Sequence, residues 1–454
     1  MPAPARPHAE YTQGSIRRMM FRIGLSMMAG TLAISGYNIV DTYFVGQLHG
    51  SNPMAAMGFT FPIIMLIGCL FHGVGAGIMT TCAAALGAGR RRRAAGLITG
   101  GLTLNILLSI VAALLGVLAS RWCLKALGAQ GEALELAKRY MDVWFIGSLT
   151  STLTHTGNGL LLGVGRSRTA AVMMAAGLVL NAILDPLFIF GWGPIPGTGV
   201  VGAAVATVIS QALSALLTMG ILNRLGLLHL RLLPWRELRL VWDIIVRYAI
   251  PSAMGSLMIP IGMTVVTRAT AAFGNDAVAA AQAAGKLENL AFIFPASFGI
   301  SMMPILSQNF GAGRYDRIEE CRHFANTVMF WFLLAIAAVY FAAAPYVVGY
   351  FTQVAEVKRL MTASLRIIPF GFWGMELHRY GAFCFMSCGR PKTASILNVV
   401  KVLGLLLPAI LAAYFLFHNV IAIFAARALV DCVAGALSFF LSRRLTKGLV
   451  TAHA

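Results

Sequence analysis

Apolar runs of about 20 residues recur along this whole chain, and each is long enough to cross the hydrocarbon core of a bilayer as a helix. No other feature limits the fold so strongly. Inside a bilayer every backbone N–H and C=O needs a partner within the protein, so only helices and closed barrels can span it. These runs are continuous, unlike the roughly 10-residue alternation of a barrel strand. Composition agrees: 58% of residues are hydrophobic and 11% are charged, against about 25% charged in soluble domains. The chain reads as an all-α polytopic membrane protein of twelve spans. Their cores lie near 19–45, 54–86, 94–119, 134–162, 169–190, 200–222, 242–273, 277–310, 323–350, 360–387, 394–417 and 421–441. The first span follows Arg17-Arg18, as the apolar region of a signal peptide would. It is too long for one and other spans follow, so it reads as an uncleaved helix.

A net charge of +19 raises the question of nucleic acid, and its distribution answers it. With the spans numbered from the N-terminus, 23 of the 35 Lys and Arg fall on one side. They include Arg6, Arg17, Arg18 and Arg22 in the tail, "RRRR" at 90–93, Arg166 and Arg168, five bases around the central loop, and Arg443, Arg444 and Lys447. Only 7 fall on the other side. The positive-inside rule then places both termini in the cytoplasm, and the expected location is a bacterial plasma (inner) membrane. The tetra-arginine reads as a topology signal in contact with anionic lipid. Nucleic acid is not expected as a partner, because no aromatic-rich soluble domain accompanies the bases.

A repeat organises the chain. "GAGR" stands at 87–90 and again at 311–314, and "GVGRSRTA" at 163–170 resembles "SCGRPKTA" at 387–394. Both pairs are 224 residues apart, and Gly50 with Gly274 and Gly75 with Gly299 keep the same offset. Two lobes follow, 1–225 and 226–454, with six spans each. Six is even, so both lobes start on the same side of the membrane, as parallel repeats about an axis along its normal. The basic segment 223–240 reads as a cytoplasmic connector at the membrane surface. Two similar bundles of this kind favour a transporter that works by alternating access.

Charges inside spans are costly and mark function or pairing. In "LNAILDPLFIFGWG" (180–193), Asn181 and Asp185 are at i and i+4, on one helix face. Pro186 lacks an N–H and weakens the preceding turn. In "YNIVDTYFVG" (37–46), Asn38 and Asp41 again share a face. Two carboxylates close together in low dielectric hold a proton, or a cation sits between them. Either arrangement makes an ion-coupling site; the alternative is a buried polar pair that locks two helices. Thr207 on span 6 and Tyr140 at the head of span 4 are candidates to complete the site, as are Asn38 and Asn158 for the substrate cavity. In the second lobe Glu288, Glu376, Arg379, Lys401, Arg427 and Asp431 all fall in spans. They read as interhelical salt bridges, with Glu288, Glu376 and Arg379 also candidates to line the cavity. Arg427 and Asp431, one turn apart, could pair within their helix.

Other chemistries lack their signatures. No GxxxxGK[ST] supports direct use of ATP, and the nine His show no HExxH spacing. "GVGAG" (73–77) sits inside a span, where Gly73 and Gly77 permit close helix packing. Cys384 and Cys388 read as small buried hydrophobes. The chain is not expected to be an enzyme.

Taken together, "NIVDTYFVGQLHGSNPMAAMGF", the two "GAGR", "GVGRSRTA", "LNAILDPLFI", "GVVGAAVATVISQ" and "CGRPKTA" resemble the multidrug and toxic compound extrusion (MATE) family, in its DinF-like branch. The resemblance covers nearly the whole chain. It implies a V-shaped, two-lobe exporter of twelve helices, antiporting organic compounds, cationic or amphipathic, against H⁺ or Na⁺, with no other cofactor. It places the family's helix-1 acid on Asp41 and its helix-5 Asn and Asp on Asn181 and Asp185. The helix-6 Thr falls on Thr207 and the helix-4 Tyr on Tyr140. If the ion is Na⁺, Asp41, Asn181, Asp185 and Thr207 are its expected ligands. Span 7 has no carboxylate, so the helix-7 glutamate of the NorM-like branch has no counterpart. Small organic molecules and membrane lipid are the expected partners, with the chain acting as a monomer. The alternative function is a flippase for lipid-linked saccharides or other amphiphiles, which Arg268, Lys286, Arg379 and Lys401 would suit.

Overall fold

The computed structural model describes residues 10–228 and 233–452, with the side chains of Ile34, Ser35, Asn38 and Ile195 outside the described set. Arg6 and Arg231 therefore lie outside the described residues, as does the side chain of Asn38. The chain is almost entirely helical. In order the helices are α1 (Ile16–Val45), α2 (Asn52–Gly87), α3 (Arg91–Ala126), α4 (Gly131–Ile146), α5 (Ser148–Gly163), α6 (Ser167–Ile189), α7 (Val200–Arg224) and α8 (Trp235–Ala271). Then follow α9 (Asn275–Ala291), α10 (Ile293–Gly311), α11 (Tyr315–Val347), α12 (Ala355–Ile367), α13 (Phe372–Ser387), α14 (Pro391–Val399), α15 (Leu407–Phe417) and α16 (Val420–Thr451).

Four expected spans are each made of two helices. Span 4 breaks at Gly147 between α4 and α5. Span 8 bends by 51° between α9 and α10. Span 10 passes through a 3₁₀ turn at Ile368–Gly371. Span 11 passes through a π-helical turn at Val400–Leu406 without losing its continuity. Among the described residues, eight helical segments are long and apolar enough to cross a membrane, and the bent α9–α10 pair makes a ninth. A short antiparallel ladder, unexpected in an all-α chain, closes the loop after α6: Gly191 pairs with Pro196 and Trp192 with Ile195.

The chain forms two compact units, one built on Ser26–Ala253, the other on Tyr11–Leu25 and Met254–Ala454. The division therefore falls inside α1 and α8 rather than in the connector near residue 225. Close packing explains both shifts. A Cβ on Gly73 would sit 2.6 Å from Ala249 O, and one on Gly77 3.1 Å from Ile245 O, so α2 lies directly against the first part of α8. Trp242 Nε1 adds a hydrogen bond to Gly100 O at 2.8 Å. In the second unit the start of α1 is held by Phe21, whose ring meets those of Phe298 and Phe324 edge-on. Tyr11, just before α1, is fully buried there, and Asn309 Nδ2 donates to its carbonyl at 3.0 Å.

The repeat is visible in backbone detail within each unit. Gly89 and Gly313 both cap helices with left-handed φ of 71° and 69°. The residue after each closes the turn: Arg90 N donates to Ala85 O and Arg314 N to Asn309 O, both at 2.9 Å. Gly165 and Gly389 do the same, with Arg166 N to Leu161 O and Arg390 N to Phe385 O at 2.8 Å. These are Schellman caps, which need glycine's tolerance of positive φ. Helix contacts repeat as well. Gly75 packs on Thr156 as Gly299 packs on Tyr380, Gly147 on Val208 as Gly371 on Ala428, and Gly157 on Thr218 as Gly381 on Ser438. In the last helix of each unit the offset shortens, because the loop carrying the β-ladder is longer in the first unit.

Two bases at the start of α11, on the base-rich side of the membrane, are buried. Arg322 is 1% exposed and Arg317 9%. Both lie in the first turns of α11 and are satisfied there: Arg322 Nε donates to Glu319 at 2.8 Å and to Thr446 Oγ1 at 3.1 Å, and Arg317 Nε to Asn309 Oδ1 at 3.0 Å.

Candidate ion-coupling site

Small residues bring α1, α6 and α7 together in the first unit. A Cβ on Gly30 or Gly36 of α1 would sit 2.7 Å from the side chains of Met174 and Leu178 on α6. Ascending contacts on both helices mean that α1 and α6 run parallel, and Asp41 arrives beside Asn181 and Asp185. On the other side Gly202 of α7 lies against the Phe188 carbonyl, where a Cβ would be only 2.2 Å away. That approach sets Thr207 next to α6.

A chain of hydrogen bonds results. Asn181 Nδ2 donates to Asp185 Oδ1 at 3.2 Å and to Thr207 Oγ1 at 3.3 Å. Thr207 Oγ1 in turn donates to Asp41 Oδ2 at 3.5 Å. Both amide hydrogens of Asn181 are used, as is the single hydroxyl hydrogen of Thr207. Three acceptors remain without a donor: Asp41 Oδ1, Asp185 Oδ2 and Asn181 Oδ1. All four residues are buried. An acceptor left unmatched in such a place costs about 1–3 kcal/mol, and more when charged. Both acids also sit near the C-terminal ends of their helices, four residues before Val45 and Ile189, where the helix dipole is negative. The group therefore suits a proton shared between carboxyls or a hard cation held by oxygen ligands. Among the described residues no set of three His, Cys, Asp or Glu side chains forms a metal cluster, so any cation here relies on the amide and hydroxyl oxygens too.

Tyr37 and Tyr140 border this group. Tyr37, one turn before Asp41, lies beside Ser210 on α7, and its hydroxyl fills the space left by Gly177. Sequence reasoning missed it, although its i,i+4 relation to Asp41 was a usable signal. Tyr140 is buried on α4 near both carboxylates, but no hydrogen bond joins it to either among the described residues. Asn158 is buried on α5 with its Oδ1 unmatched. His72 on α2 and His155 on α5 were also missed. They lie close together and open to the surface, and only the polar run "SLTSTLTHTGNG" hinted at it.

The second unit is different. At the positions that repeat Asp41, Asn181 and Asp185 it has Val265, Leu405 and Ala409. Its charges pair instead: Arg427 Nη2 with Glu288 Oε2 at 2.6 Å, Lys401 Nζ with Asp431 Oδ1 at 2.7 Å, and Arg379 with Glu376. Arg427 and Asp431 thus take partners on other helices rather than each other. His378 bridges Ser438 Oγ at 2.8 Å and Asn398 Oδ1 at 3.2 Å. The exposed Arg268 and Lys286 have no such partner among the described residues.

Known proteins resemble the chain in sequence and fold. Residues 27–187 and 251–426 match the MatE family. The chain is 28% identical over 438 residues to a protein of Shewanella oneidensis named FAD transporter, covering 95% of each chain. It is 25% identical over 404 residues to the multidrug export protein MepA of Staphylococcus aureus, covering 86% of each. A solved structure described as the outward-facing conformation of a multidrug resistance MATE family transporter of the MOP superfamily superposes with a TM-score of 0.88 at 25% identity, over 98% of each chain. With two matched segments that together span most of its length, this chain belongs to the MatE family of multi-pass membrane transporters.

Proposed function

We propose that the chain is a secondary active exporter that exchanges amphipathic organic compounds for H⁺ or Na⁺ by alternating access. Its coupling site is Asp41, Asn181, Asp185 and Thr207, and it works in the plasma membrane with both termini in the cytoplasm. One observation carries this reading: three buried acceptor oxygens of the site, from α1 and α6, have no donor. A proton or Na⁺ meets that need, and its departure leaves two close carboxylates that repel. Loading and unloading the site thus change how tightly α1, α6 and α7 hold together. Pro186 leaves the Ala182 carbonyl without its helical N–H, so α6 bends most easily next to the acids. A cationic substrate that lowers its energy near the ionised acids opposes ion binding, and linkage makes the opposition mutual. The test is transport by the purified chain in proteoliposomes under imposed pH or Na⁺ gradients. Uptake or efflux that ignores both gradients would refute it.

A second reading concerns the substrate alone. The relative named FAD transporter supports an anionic, phosphate-bearing compound as cargo, and the paired bases of the second unit favour it. The relatives' names, FAD transporter and multidrug export protein, support export of small molecules over a flippase role.

A further inference from the structure

Three ion pairs of the second unit, those of Arg379, Arg427 and Lys401, share one asymmetry. In each of the three, the base is more open than its acid. Arg379 is 33% exposed over a fully buried Glu376, Arg427 27% over Glu288 at 7%, and Lys401 15% over Asp431 at 9%. The set is neutral in sum, yet its accessible side is cationic. These residues lie within α9, α13, α16 and the π-helical turn, at depths where hydrocarbon would not tolerate an open guanidinium. Their open surface therefore faces a polar space.

The pairs are also linked. Asp431 lies near Arg427 as well as its own partner Lys401. Lys401 lies near both Glu376 and His378. Lys401 stands on the π-helical turn, and such turns recur at functional sites. Glu376 and Glu288 each hold one edge of a guanidinium. Arg379 uses Nε, at 3.0 Å from Oε2, and Nη2. Arg427 uses Nη1 and Nη2, at 3.4 and 2.6 Å. A guanidinium has five N–H donors. Each arginine is thus fixed in direction by a buried acid, while among the described residues no hydrogen bond takes the remainder of its fork. Phosphate oxygens fit such a fork in pairs.

We propose that Arg379 and Arg427, with Lys401 between them, form an anion-receiving face of the second unit that holds a phosphoester, either of the transported compound or of a lipid headgroup. The proposal deepens the exporter reading and rests on it for the word "transported" only. The buried acids act as positioning residues: they orient the bases and offset their charge until an anion arrives.

Binding to the full-length protein in detergent tests this without any ion gradient, so its failure is distinct from failure of transport. The probes are FAD and riboflavin, which share a ring system but differ in phosphate, and phosphatidylglycerol against phosphatidylcholine in nanodiscs. FAD, or phosphatidylglycerol, is expected to bind at least about tenfold more tightly than its uncharged or zwitterionic counterpart. The neutral double variant Glu376→Gln, Arg379→Gln leaves no lone buried charge and should lose most of that preference. Glu376→Gln alone should strengthen phosphoester binding severalfold, because Arg379 no longer divides itself between two anions; a merely structural pair would show no gain. Equal binding of each probe and its counterpart, or full preference retained in the double variant, overturns the proposal. FAD preference assigns the face to cargo, and phosphatidylglycerol preference alone assigns it to lipid.

Discussion

The Thr207 hydroxyl stands 3.5 Å from Asp41 Oδ2, joining α7 to α1 across 166 residues of sequence. Because the same hydroxyl accepts from Asn181, it connects the Asp41 carboxylate to the amide serving Asp185. Replacing Thr207 with Val keeps the shape and removes both bonds. A hydrogen bond to a charged group contributes about 1.5–3 kcal/mol, so ion affinity should fall by roughly tenfold or more. Measuring the H⁺ or Na⁺ concentration that half-saturates exchange checks this, and an unchanged value would remove Thr207 from the site.

The acids themselves can be tested together. Asp41→Asn imitates the protonated carboxyl and should hold the site in its loaded form, whereas Asp185→Asn should uncouple or weaken exchange. The double variant is expected to lose gradient-driven efflux. Were it to pump as the wild type does, the two carboxyls would be no more than a lock between helices.

Glu376→Gln provides the contrast. Its pairing is with Arg379 in the second unit, so ion-driven exchange should persist within about twofold even where substrate preference shifts. Intact substrate binding with exchange abolished would move coupling out of the first unit.

Packing around the site has its own signature. A Cβ at Gly202 would meet the Phe188 carbonyl at 2.2 Å, which only a backbone shift can relieve. Gly202→Ala should therefore cost about 1–3 kcal/mol, typical of overpacking, and pull Thr207 away from α6. Thermal unfolding in detergent measures the loss. Gly220, on the same helix with nothing near its absent Cβ, is the control that should tolerate Ala without loss.

Orientation is open to direct labelling. The 23-to-7 distribution of bases places the 90–93 loop in the cytoplasm. A cysteine at position 91, in a background without the native thiols, should react with an impermeant reagent only after the cells are permeabilised. Reaction in intact cells would invert the topology.

Much of this molecule is written locally. Long apolar runs decide that the chain enters a bilayer, since no other structure satisfies its backbone there. "GAGR" and "GRSRTA" decide where helices end, because a glycine in the left-handed region is the cheapest cap. Asn181 and Asp185 meet because four residues make about one helical turn. Spacing along one helix says nothing, however, of how two helices are rotated about each other. Asp431 had Arg427 one turn away and took Lys401 instead. The π-helical turn at Val400–Leu406 that carries Lys401 was not legible in the sequence. Likewise, the division of the chain inside α1 and α8 follows from the fit of Gly73 and Gly77 to α8 and of Phe21 to Phe298. The sequence alone determined which residues are too polar for lipid. The tertiary structure decided which of them meet, because the direction of a buried side chain is set by the shape of the neighbouring helix, here by the gaps left at Gly30, Gly36 and Gly202.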